Sequence, residues 1–269
     1  MAMVRVNGAR VFAREEEGAG LPVVLLHMAG AGGSAWGPVA GLLGRQAHVL
    51  APDFPGHGQS EAAALPAPGA LARDGVKPHL AALAAWTLQW LDACGIERAF
   101  LAGHSLGGCV AMTVALGAPR RVAGLGLVCT SADLALPDAL RDALHHRYEA
   151  FIASFPGAAV ARGAARPVFP QADPATVRAD FDAVDGFHVL GALPALTVPV
   201  AVIAGELDVI TPPEHARRLA AALPSARLTL VPGGGHLLPR EQPPTVARAL
   251  ADAHAHARAG DGAGRRLIG

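Results

Sequence analysis

The sequence predicts an α/β fold: a mostly parallel, eight-stranded sheet with helices on both faces and a small helical lid inserted after the sixth strand. Three observations predict it. Short continuous apolar runs, such as LPVVLLH (21–27) and AFLAGH (99–104), suit strands buried on both faces. They alternate with longer segments of helical character, the pattern of a parallel sheet covered by its own crossover helices. Between about Ser131 and Leu196 the alternation stops, and only helical segments read clearly. Residues 1–130 and 197–269 are therefore expected to form the core domain and 131–196 the inserted lid.

Taken in order, MVRV and ARVFARE flank Asn7-Gly8, the pair that best tolerates a type I′ turn, so the chain opens with a hairpin. LPVVLLH is the third strand. A glycine-rich loop, MAGAGGS, leads from it to a helix over AWGPVAGLLG. AHVLAPD is a strand, and HLAALAAWTLQWLDACG is a helix stopped at Gly95. AFLAGH, SLGGCVAMTVALGAP and VAGLGLVCT follow as strand, helix and strand. LPDALRDALHHRYEAFIASF and DPATVRADFDAVDGF read as lid helices with no convincing strand between them. Alternation resumes with VPVAVIAGELD, PPEHARRLAAALP, ARLTLVPG and PPTVARALADAHAHA. The closing AGDGAGRRLIG reads as a loose tail.

Composition narrows the function. Hydrophobic residues make up 52% of the 269, enough for a sizeable core, and 16% are charged. Lys+Arg and Asp+Glu are both 22, which argues against a nucleic-acid partner, since that needs basic residues gathered on one face. The three cysteines (Cys94, Cys109, Cys129) lie in apolar segments and read as buried thiols, not a disulfide framework. No secretory h-region or membrane-length apolar run is present, so the expectation is a soluble cytoplasmic protein without a membrane partner. Oligomeric state leaves no mark in the sequence.

The chemistry centres on Gly-His-Ser-Leu-Gly (103–107), a G-x-S-x-G turn between strand and helix. Side chains at Gly103 and Gly107 would collide with the neighbouring elements. Their absence lets the turn push the Ser105 hydroxyl above the sheet, where it serves as a nucleophile. A serine needs a base, and His236 in VPGGGHLLPREQP follows the last strand on the same rim. Of the twelve histidines, His104 is expected to point away from Ser105, and His254 and His256 lie two apart on the final helix. The base needs a carboxylate. Asp208 follows the preceding strand; Glu206 and Asp133 are alternatives. An acid at 208 could serve merely as a helix cap, but Thr211 is expected to supply that cap, leaving Asp208 free. The N–H of Leu106 is positioned by the turn to receive an oxyanion. The histidines lack ligand spacing, so no metal site is expected.

The order Ser105, Asp208, His236 is that of the α/β-hydrolases. The whole chain resembles that family through five motifs in order: LLHMAGAGG, PDFPGHGQS, the serine turn, GELDVITPP and GGGHLLPREQP. The resemblance implies serine-based hydrolysis of a carbonyl compound beneath a lid, without a cofactor. It also implies Ala29 as the second oxyanion donor, with Met28 standing where the family usually has glycine. DFPGHGQS (53–60) reads as structural support for the site. Met28, His27, Trp36 and Tyr148 are candidates for substrate contact, and Arg147, Arg162 and Arg166 for a substrate carboxylate, although solvated surface arginines are commoner.

Relatives such as haloalkane dehalogenases and epoxide hydrolases place aspartate where Ser105 stands, and epoxide hydrolases use lid tyrosines; this chain has one tyrosine, Tyr148. An apolar lid favours a small, largely apolar carboxylic ester or lactone as substrate. Cleavage of carbon–carbon bonds in ring-fission products, or of enol-lactones, by the same residues is the alternative. Those carbon–carbon hydrolases often carry a tryptophan where this chain reads Gly205-Glu206-Leu207. A ligand cage that binds without turnover is a third reading, disfavoured by the intact serine, histidine and aspartate.

Overall fold

The computed structural model describes residues 2–154 and 173–265. Strands β1 (Ala2–Val6) and β2 (Ala9–Glu16) form the expected antiparallel hairpin. Asn7 and Gly8 between them have φ of 50° and 86°, the pair of positive values that a type I′ turn demands. Next come β3 (Val23–Leu26), β4 (Val49–Pro52), β5 (Ala99–His104) and β6 (Val122–Val128). After the inserted segment, with its own short β7 (Asp133–Leu134) and β8 (Phe187–His188), β9 (Val200–Gly205) and β10 (Ala226–Val231) complete the sheet. The eight strands lie in the order β1-β2-β4-β3-β5-β6-β9-β10. From β4 to β10 every pairing is parallel.

Successive residues of the central strands feed opposite cores, as a period of two requires. Leu26, Leu101 and Val202 join one apolar cluster with Trp86, Trp90 and Met112. Their neighbours Leu25, Phe100 and Ile203 join a second cluster with Trp36, Val39 and Leu250. Helices α2 (Pro78–Ala93) and α3 (Leu106–Gly117) supply the first layer; α1 (Gly37–Leu43) and the final helix supply the second. The chain moves to β4 on one side of β3 and to β5 on its other side. That reversal falls at the carboxyl ends of β3 and β5, where doubly wound sheets gather ligands.

The inserted segment holds α4 (Asp138–His146), α5 (Tyr148–Ser154) and α6 (Pro174–Val184). The helix expected over 136–155 is broken at Arg147, whose φ of −140° and ψ of 49° are not helical. Contrary to expectation, this segment also contains strand: β7 and β8 pair antiparallel, two residues each, too short for any alternation to register. Beyond it lie α7 (Pro213–Ala222), α8 (Leu238–Glu241) and α9 (Pro243–Arg265). The loose tail expected from residue 259 is helical as far as Arg265, because extending an established helix adds one hydrogen bond per residue fixed. Among the described residues no helix is long and apolar enough to cross a membrane.

Candidate active site

Ser105 occupies the turn from β5 into α3 with φ 53° and ψ −117°, a conformation that a side-chain-bearing residue holds only when its surroundings impose it. Those surroundings are visible. A Cβ at Gly103 would run into the backbone of Gly107, and a Cβ at Gly107 into the carbonyl of Leu26. The serine backbone is held by two bonds to β6 and the residues after it: its N–H donates to Val128 O at 3.0 Å, and Thr130 Oγ1 donates to its carbonyl at 2.8 Å. The hydroxyl makes no capping bond to α3.

His236 follows β10 and Asp208 follows β9, on the same rim. His236 Nδ1 lies 2.9 Å from Asp208 Oδ2 and 3.1 Å from Oδ1. A carboxylate only accepts, so Nδ1 carries a proton and, in the neutral ring, Nε2 holds the lone pair. Both side chains are buried. Burial alone would raise the carboxyl pKa of Asp208. The facing imidazole, the Thr211 N–H and the Thr211 hydroxyl outweigh it and hold the value at about 2. Thr211 departs from its expected part. It does not cap α7, whose N-cap is Pro212 without a side-chain bond. Instead the Thr211 hydroxyl donates to Asp208 Oδ2 at 2.8 Å, and Asp208 Oδ1 accepts the Ile210 and Thr211 N–H groups. The alternative acid Asp133 is engaged elsewhere, by His188 at 3.1 Å and Arg218 at 3.4 Å.

His104 is a residue whose part sequence reasoning missed. It is buried next to Ser105, its ring centroid lies 5.3 Å from that of His236, and its Nε2 donates to the His236 carbonyl at 2.7 Å. Burial first, then the neighbouring His236, lower its pKa to about 3, so it stays neutral. The bond fastens the His236 loop to the residue immediately before the serine. Its position inside the G-x-S-x-G motif was the available signal, since a side chain pointing down from the turn must meet the adjacent loop.

Leu106 is the first residue of α3, where N–H groups have no intrahelical acceptor. Among the described residues neither its N–H nor that of Ala29 has a protein acceptor. Met28 is buried beside them and lines a void of about 10 Å³ with Ala35, His104, Leu237, Pro239 and Arg240. Two expected substrate contacts are corrected. His27 is fully buried, Nδ1 facing the Met28 carbonyl at 2.8 Å and Nε2 accepting the Phe54 N–H at 3.0 Å. With both nitrogens used, and its pKa pushed down to about 3 by burial and by His57, it supports the loop and cannot reach a ligand. Trp36 is buried in the core on the far face and spends its N–H on Leu26 O at 3.0 Å. Tyr148 lies in the inserted segment, part-buried, with the Arg178 guanidinium 4.9 Å from its ring centre. Arg147 pairs with Asp142 at 2.6 Å; Arg162 and Arg166 lie outside the described residues.

His104, Cys129 and His236 bring ligand-type atoms within 4.8 Å of one another. Each of the three is already engaged in a hydrogen bond, His104 with the His236 carbonyl, Cys129 with the Gly235 carbonyl at 3.6 Å, and His236 with Asp208. Burial, then the Asp208 charge, raises the Cys129 pKa. A cavity of about 610 Å³ opens at the opposite rim, between Pro22, His48, Glu97, Arg98 and Arg258. It touches neither Ser105 nor His236, and ligands of such sheets gather at the carboxyl rim.

A model of the alpha/beta hydrolase family matches residues 23–249. The putative carbamate hydrolase RutD of Variovorax paradoxus is 35% identical over 235 residues, covering 79% of this chain and 84% of that protein. The dihydrolipoyllysine-residue acetyltransferase component of the acetoin cleaving system of Pseudomonas putida is 32% identical over 254 residues, 82% of this chain but 60% of that protein. In fold, the chain is similar to the enol-lactonase from Burkholderia xenovorans LB400, with a TM-score of 0.80 at 23% identity, over 94% of this chain and 100% of that one. Sheet order, serine turn and family match agree: the chain belongs to the alpha/beta hydrolase family.

Proposed function

We propose that this hydrolase cleaves a small, largely apolar carboxylic ester or lactone through an acyl-enzyme formed on Ser105. The observation that carries the reading is the positive φ of Ser105 on the β5–α3 turn, on the same rim of the sheet where His236 Nδ1 meets Asp208 at 2.9 Å. His236 Nε2 takes the serine proton as Oγ attacks the carbonyl carbon. Leu106 and Ala29 N–H groups stabilise the oxyanion, an effect for which losing one donor typically costs about a hundredfold to a thousandfold in rate. Collapse expels the alcohol, which takes the proton from His236; water then repeats the sequence, releasing the acid and the free serine. The described helices of the inserted segment, α4 to α6, serve as a lid that excludes bulk water. The carbamate chemistry in the name of the Variovorax relative involves the same bond type, a carbonyl bearing a heteroatom leaving group. Turnover of a short-chain nitrophenyl ester tests the reading: Ser105→Ala should lower kcat by about a thousandfold or more, and an unchanged rate rejects it.

A further inference from the structure

Asp180 sits on α6 of the inserted segment, fully buried, yet its partners all belong to the core domain. Oδ2 accepts the Gly30 backbone N–H at 2.9 Å and faces His57 Nε2 at 2.8 Å. Oδ1 stands 3.8 Å from His79 Nε2 on α2, an ion-pair distance too long for a hydrogen bond, and has no hydrogen-bond partner among the described residues. The second nitrogen of His57 faces the Pro55 carbonyl at 3.1 Å. Acceptors at both nitrogens favour the doubly protonated His57 ring. Burial opposes that charge, but the bond and the charge of Asp180 outweigh it and raise the pKa. The same pairing holds Asp180 below the usual carboxylate range despite its own burial. The other titratable groups facing His57 are His27, its ring centroid 5.0 Å away and neutral, and Asp53, which accepts the Gly33 and Gln59 N–H groups.

Gly30 directly follows Ala29, and its φ of 65° turns the loop sharply there. The peptide carrying the Ala29 N–H is held at its carbonyl end, where Met28 O accepts from Ala31 N–H at 3.2 Å and faces His27 Nδ1. The next peptide is held at its N–H by Asp180. These two restraints on either side set the direction of the Ala29 N–H. We infer that Asp180, with His57, is a positioning pair that locks the Ala29 loop in its oxyanion-binding shape and makes that lock depend on the inserted segment being seated. The inference rests on the reading of Ser105 as nucleophile.

The test is kcat and KM on a nitrophenyl ester, from pH 5 to 10, for Asp180→Ala, Asp180→Asn and His57→Gln, with folding checked by circular dichroism. Asp180→Ala should lower kcat by about tenfold or more while KM stays within about threefold, because a misdirected oxyanion donor acts on the transition state. Asp180→Asn keeps an acceptor towards Gly30 and should recover most of that loss at neutral pH. The wild type should lose kcat at alkaline pH as His57 gives up its proton, and His57→Gln, which keeps a donor but cannot titrate there, should flatten that limb. If Asp180→Ala does not fold, the His57→Gln profile decides. Full activity in Asp180→Ala, equal loss in the Asn and Ala variants, or an unchanged alkaline limb in His57→Gln overturns the lock. An active Ser105→Ala protein would instead overturn the hydrolase reading, so the two failures are separable.

Discussion

Asp208 does three things with two oxygens: it closes its own turn through the Ile210 and Thr211 N–H groups, takes the Thr211 hydroxyl, and faces His236 Nδ1. The first two hold the carboxylate still, and the third fixes which imidazole nitrogen carries the proton. Asp208→Asn keeps the shape but presents an amide that can donate to the ring. The expected tautomer then puts the proton on Nε2, where the base is needed. We predict a fall in kcat on the order of 10³- to 10⁴-fold with KM little changed, checked by steady-state kinetics on the folded variant. The competing thiols offer no substitute nucleophile: burial holds Cys109 up at about 12, far from the thiolate that reacts.

At the scale of elements, the β5–α3 turn depends on three close approaches that only hydrogen atoms permit. Gly103 abuts Gly107, Gly107 abuts Leu26 of β3, and Gly108 abuts the side chain of Thr130. Gly107→Ala places a methyl against a backbone carbonyl that cannot step aside without shifting the central strand. We predict a loss of about 1–3 kcal/mol, read as a lower denaturant midpoint, with a larger proportional loss of activity because the turn carries Ser105. Gly103 and Gly107, the strand alternation and the order of the catalytic candidates were legible in the sequence, because each is a local rule: a bend needs glycine, a buried strand needs an apolar run. What escaped was made by meetings across long separations. His27 sits in a motif beside the site and Trp36 just after it, but the side-chain direction that spends them on Phe54 and Leu26 depends on how β3 packs. Asp180 reads as an ordinary polar residue on a helix of the inserted segment; only the docked segment places it on Gly30, 150 residues away. The β7–β8 pair escaped because two residues carry no period.

The whole molecule buries several ionisable rings, and this gives its stability a direction in pH. His27 and His104, each lowered to about 3, stay neutral in the fold while their ordinary value is 6.5. Below pH 6.5 the unfolded chain therefore binds protons that the folded chain refuses, and stability falls as pH drops towards 3. Each ring contributes a loss on the order of a few kcal/mol by pH 3. Asp208 adds to the acid sensitivity at a lower range: its stabilising contribution is present above about pH 4 and fades as pH falls through about 2. His57 works oppositely, its raised pKa giving stability that is complete below 6.5 and lost as pH rises through the folded value. We predict a melting temperature that falls steeply between pH 6 and 4, with net proton uptake on unfolding near pH 5. Calorimetry across that range checks it; a flat profile would mean these rings reach solvent.

Covalent trapping tests most directly whether His236 makes Ser105 nucleophilic. The protein is incubated with a small fluorophosphonate and digested, and the modified residue is mapped by mass spectrometry, alongside a His236→Gln variant. One phosphonyl group is predicted, on Ser105, formed rapidly in the native chain and slowed by on the order of a thousandfold without the imidazole. A native protein that stays unmodified at Ser105, or a His236→Gln variant that reacts at the native rate, would contradict that chemistry.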